Sequence, residues 1–116
     1  MIRRSALLIV GLSWLVLAGL AASSAAWSAD PEFTLRLKDH RFDRSEIRVP
    51  AGKRIGVTVI NLDKVREEFH SDSLNREKIA PAGGKVVFKI GLLKPGRYPF
   101  MGEFYAATAR GVVIVE

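Results

Sequence analysis

The chain has 116 residues, with 18 lysines and arginines against 12 aspartates and glutamates, two histidines and no cysteine. That length allows one domain, and the missing cysteine excludes a disulfide framework, a thiolate nucleophile, a zinc ribbon and a cysteine-ligated blue-copper centre. The net charge of +6 is spread along the chain rather than gathered into one run, which argues against nucleic acid as a partner and is compatible with an acidic protein or an anionic membrane surface.

Met1-Ile2-Arg3-Arg4 gives a positive start, and residues 6–22 are almost wholly apolar and uncharged. Ser23, Ser24, Ala25, Ala26 and Ala29 then supply the small side chains that a signal peptidase favours. This order predicts a signal peptide over residues 1–29, cleaved between Ala25 and Asp30, and a folded domain over 30–116 in the periplasm. An uncleaved anchor is the competing reading, because the apolar run sits at the short edge of the roughly 17 to 25 residues that span a bilayer. Loss of Arg3 and Arg4 lowers the net charge from +6 to +4. A small exported domain without disulfides must rely on a well-packed apolar core.

Beyond the signal, Phe33, Leu35 and Leu37 alternate with Thr34, Arg36 and Lys38, the period of a strand with one buried face. Ile47 and Val49 repeat the pattern before the turn Pro50-Ala51-Gly52-Lys53, and Ile55, Val57 and Val59 carry it on to Asn61. Residues 62–80 are charged and lack a clear period. Within them Asn75-Arg76-Glu77-Lys78 reads as a surface turn held by ion pairs. Val86, Phe88 and Ile90 mark a strand after Pro81-Ala82-Gly83-Gly84, and Tyr98 and Phe100 another after Pro95-Gly96. Gly111-Val112-Val113-Ile114-Val115 closes the chain as a β-branched strand. Short alternating runs separated by turn residues, with no sustained 3.6-residue period, predict an all-β, antiparallel sandwich.

Several segments together resemble the cupredoxin family. They are Asp39-His40-Arg41-Phe42, Val49-Pro50-Ala51-Gly52-Lys53, Asn61-Leu62-Asp63, Glu67-Glu68-Phe69, Asn75-Arg76-Glu77-Lys78, Leu93-Lys94-Pro95-Gly96-x-Tyr98-x-Phe100 and Gly111-x-x-x-Val115. Within the family they are most similar to the EfeO-type cupredoxin-like domain and the FtrB-like proteins of bacterial periplasmic iron uptake. The resemblance implies a Greek-key β-sandwich of seven to eight strands and a metal site at the loop between the last two. In blue-copper members that loop places a cysteine four residues after the strand tyrosine, a histidine three further on and a methionine just before the final glycine. Counted from Tyr98, those places hold Gly102, Tyr105 and Ala109 or Arg110, and the earlier ligand histidine falls at Glu67 or Glu68.

The residues present still offer metal chemistry. Glu68 and His70 are two apart, so on a strand they share one face while Glu67 and Phe69 share the other. Carboxylate plus imidazole suits Cu(II), Fe(II) or Zn(II), and the Met101 thioether adds affinity for Cu(I). The expected metal residues are Glu67, Glu68, His70, Met101 and Glu103, which the resemblance implies are brought together at one end of the sandwich. Each has a plainer reading beside it. His70 is a solvated histidine, Glu67 and Glu68 pair with Lys64 and Arg66, Met101 packs at the rim, Glu103 pairs with an arginine, Tyr105 packs, and His40 ends the first strand.

Two classes of function follow. One is a periplasmic non-blue protein for copper or iron that assists iron uptake or electron transfer, with a membrane iron permease or an electron-transfer protein as partner. The other is a metal-free sandwich serving as an interaction module. No nucleophile and base pair stands out, so an enzyme is not expected, and a ferroxidase role would have to come wholly from a redox metal.

Overall fold

The computed structural model describes residues 30–116, and within them the alternating segments become nine strands and no helix. The expected signal peptide and its cleavage point lie outside the described residues. The strands are β1 (Glu32–Lys38), β2 (Arg41–Phe42), β3 (Glu46–Val49), β4 (Ile55–Asn61), β5 (Glu67–Ser71), β6 (Arg76–Ala80), β7 (Lys85–Ile90), β8 (Gly96–Gly102) and β9 (Arg110–Val115). One sheet has the order β2-β1-β4-β7 and the other β3-β9-β8-β5-β6. The strand beyond the expected seven to eight is accounted for by β2, two residues long.

Both sheets are mixed rather than purely antiparallel. β1 runs parallel to β4, with Leu35 opposite Val59, and β3 runs parallel to β9, with Ile47 opposite Val113. After β2 the chain crosses to the second sheet for β3 and returns for β4. A connection that leaves the sheet and comes back lets neighbouring strands point the same way, which a tight hairpin cannot do.

The inward positions of the alternating strands form the core. Leu35, Ile55, Val57, Ile90 and Val113 are all but fully buried, each contributing about 1.5 to 3 kcal/mol relative to exposure. Phe69 joins the layers: its ring lies 5.1 Å from Phe88 of the first sheet and 5.2 Å from Phe100 of its own. Aromatic pairs at such spacing add about 0.5 to 1.5 kcal/mol beyond burial.

Residues 62–80, which carry no apolar period, nevertheless contain β5 and β6. The inward positions of β5 are Glu67, Phe69 and Ser71, two of them polar, and β6 half-buries Arg76 and Lys78. Strand alternation is therefore present in burial but hidden in hydropathy. Asn75, at a φ of 56°, does make the turn, with its amide donating to the Asp72 carbonyl at 3.0 Å. Arg76, Glu77 and Lys78 belong to β6 instead of an ion-paired turn. The Arg76 guanidinium donates to the carbonyls of Lys89 at 3.0 Å and Asn75 at 2.9 Å.

Candidate metal centre

In the five-stranded sheet, β5 lies between β8 and β6. Its register sets His70 opposite Met101 on one side and opposite Glu77 on the other. Directly opposed residues share a face, with Cβ atoms about 4.5 to 5.5 Å apart. Because Glu67, Phe69 and Ser71 turn inward, Glu68 and His70 turn outward, and Glu77 and Met101 join them. Glu103 follows β8, and its amide donates to the Glu68 carbonyl at 2.9 Å.

The imidazole is ringed by carboxylates. Nε2 of His70 lies 3.0 Å from Oδ1 of Asp72, while Nδ1 lies 3.6 Å from Oε1 of Glu77 and 3.8 Å from Oε2 of Glu103. One ligand atom each from Glu68, His70 and Glu77 falls within 4.8 Å of the others. Nitrogen and oxygen ligands stand about 2.0 to 2.2 Å from a zinc-like ion, so the three need only small side-chain shifts to close on one. The His70 side chain is 18% exposed, against 68% for Glu77 and 47% for Glu103. The imidazole is the most enclosed of these groups, and Glu77 and Glu103 stand more open to solvent.

These surroundings raise the His70 pKa above the ordinary 6.5. The hydrogen bond to Asp72 is the largest cause, the negative charges of Glu103, Asp72 and Glu77 add to it, and partial burial opposes them. If Nε2–H donates to Asp72, the lone pair on Nδ1 faces Glu77 and Glu103. A carboxylate behind a ligating imidazole is the usual way its tautomer and orientation are fixed.

Of the five expected metal residues, the structure brings Glu68, His70 and Glu103 together and sets Met101 across from His70. Glu67 does not join them. It is 2% exposed on the opposite face, as strand alternation requires. Its Oε1 accepts the amides of Glu68 and Phe104, each at 2.8 Å, and its Oε2 is buried with no hydrogen-bond partner among the described residues. The group sits on the outer face of the sheet, with Met101 near the end of β8 and Glu103 just past it. Glu77 and Asp72 were not foreseen as members. A hairpin read across the turn at residues 72–75 would have found Glu77, since that register sets residue 77 against residue 70.

The plainer pairings also resolve. Arg66 lies over the ring of Phe104, 5.1 Å from its centroid, and Glu103 meets His70 rather than an arginine. Tyr105 stacks on His40 with centroids 3.6 Å apart. The Nδ1 of His40 is 3.5 Å from Asp63 and buried without a hydrogen bond among the described residues.

Comparison with known proteins agrees with this architecture. The family described as a cupredoxin-like domain matches residues 7–115. An uncharacterized protein of Rickettsia prowazekii (strain Madrid E), RP394, is 37% identical over 85 residues, covering 73% of this chain and 68% of that protein. Auracyanin B superposes with a TM-score of 0.64 at 14% identity, covering 78% of this chain and 93% of its own. The metal-binding domain of the Cu(I)-exporting P-type ATPase CopA of Streptococcus pneumoniae D39, solved with Cu(I), gives 0.65 at 11% identity, covering 73% and 84%. At such identities the two structures show the fold alone.

Proposed function

The chain belongs to the cupredoxin-like domain family, and from that premise we propose that it is a non-blue metal-binding member, holding copper or iron through Glu68, His70 and Glu77 on the outer face of its five-stranded sheet. The family's copper chemistry does not fit the usual place in this chain. No cysteine is available anywhere, and a side chain at Gly102 would place its Cβ 2.5 Å from Oε2 of Glu67.

The observation that carries the reading is the donor set of Glu68, His70 and Glu77, one imidazole and two carboxylates converging within 4.8 Å. Such a set suits borderline divalent ions, Cu(II) and Fe(II) among them. Asp72 would hold the imidazole in one tautomer, Glu103 would add a charge beside it, and Met101 offers a thioether for Cu(I). Copper is favoured by the copper-binding proteins among the structural neighbours. Iron, with a role in uptake or electron transfer beside a membrane permease or redox partner, rests on the resemblance to FtrB-like proteins. Export to the periplasm rests on the apolar run at residues 6–22 and the small residues after it. The protein binds metal rather than catalyses in this reading, and a ferroxidase role would come wholly from a redox metal.

Calorimetric titration with Cu(II), Cu(I) and Fe(II) tests the proposal on wild type, His70→Ala and Glu77→Gln. Loss of a ligand should weaken affinity at least as much as the roughly 10- to 100-fold typical of outer-shell changes. Equal affinities in all three would favour the metal-free interaction module.

A further inference from the structure

Between β5 and the loop joining β8 to β9, this chain places a carboxylate where the resemblance places a copper centre. We infer that Glu67 is a metal-free strut: its buried carboxylate ties β5 to that loop, and Gly102 is bare to make room for it.

Glu67 Oε1 accepts two amides at 2.8 Å, one from Glu68 on β5 and one from Phe104 in the loop. Hydrogen bonds to a carboxylate are about twice as strong as neutral ones, and a buried acid is tolerated only where such donors meet it. The tie is continued by the Glu103 amide on the Glu68 carbonyl and the Gly102 amide on the Ala109 carbonyl, each at 2.9 Å. The backbone is thus closed from β5 through β8 to the start of β9 by the protein's own groups.

Gly102 supplies an independent observation. It is not among the glycines with positive φ, so its backbone would accept a side chain. Space is what forbids one. An added Cβ would stand 2.5 Å from Oε2 and 2.6 Å from Cδ of Glu67, and 2.9 Å from Cβ of Ala109, all below the separations that side chains tolerate. Gly102 and Glu67 are therefore coupled: the strut fits because its neighbour has no side chain. The same tie fixes the backbone of Glu68 and Glu103, whose side chains stand on the outer face, so Glu67 is a positioning residue for that face. The strut itself does not depend on an ion being bound there.

Amide hydrogen exchange and thermal unfolding of the purified protein, with and without a strong chelator, test the strut. Chelation should change Phe104 amide protection no more than it changes that of β1 and β4. Glu67→Met, similar in length but without an acceptor, should lower that protection about 10-fold or more while β1 and β4 keep theirs, and Glu67→Gln should retain most of it. Gly102→Ala should lower the melting temperature by about 5 °C or more. The drop should be smaller in Glu67→Ala, where the two close contacts with the Glu67 carboxylate are gone. A loss of Phe104 protection on chelation beyond that of β1 and β4, unchanged protection in Glu67→Met, or an equal Gly102→Ala penalty in both backgrounds would each overturn the inference. The chelation arm stands even if a variant fails to fold, and a metal-free outer face would leave every expected result in place.

Discussion

Glu67 and Glu68 are the same amino acid, adjacent on one strand, with opposite surroundings. Glu67 is buried in the sandwich with two amides on one oxygen. Glu68 stands half-exposed beside an imidazole and another carboxylate. The contrast teaches that β5 carries two kinds of polar group, one that closes the fold and one that can meet a solute. Substitutions on the inner face should cost stability, and those on the outer face should cost affinity.

The inner face should give the largest effect. Phe69→Ala removes the ring between Phe88 and Phe100 and should cost about 3 to 5 kcal/mol, read by urea unfolding. His70→Ala, one residue on, should cost under about 1 kcal/mol in the same experiment with no metal added, because it empties no core position. A large loss there would erase the distinction between the faces.

Acidity should sharpen the comparison on the outer side. The raised pKa of His70 means that its protonated form is stabilised by folding, chiefly through Asp72. In the metal-free protein that contribution is complete below the unfolded value of about 6.5 and is lost as pH rises through the higher folded value. His70→Gln should flatten this part of the stability profile. Metal affinity should run the other way, falling as pH drops through the same folded value, because a ligating imidazole must be neutral. A wild-type metal affinity unchanged across that window would remove His70 from the ligand set.

A smaller effect concerns Met101. Met101→Leu should reduce Cu(I) affinity while leaving Cu(II) affinity within about threefold, since a thioether favours the softer ion. Competition with a Cu(I) chelator reads the difference, and equal losses for both ions would assign Met101 to packing.

Much of this division was legible in the chain. β1, β3, β4, β7 and β8 show their faces through alternating side chains, and the shared face of Glu68 and His70 follows from the two-residue period alone. β5 and β6 were obscured because Glu67, Ser71, Arg76 and Lys78 occupy positions that hydropathy reserves for apolar groups. The parallel pairs could not be read, because they depend on how the chain crosses between sheets. Glu77 reaches His70 through hairpin register, and Glu67 meets Gly102 and Phe104 only when the end of β8 and the loop after it fold over β5. Both are long-range facts.

The central claim is that metal is held on the outer face by His70, one of only two histidines in the chain. Pulsed electron paramagnetic resonance of the protein loaded with one equivalent of Cu(II) tests it most directly, by detecting imidazole nitrogen coupled to the copper spin. This coupling should be present in wild type, retained in His40→Ala and lost in His70→Ala. Coupling that survives in His70→Ala, or vanishes in His40→Ala, would contradict it.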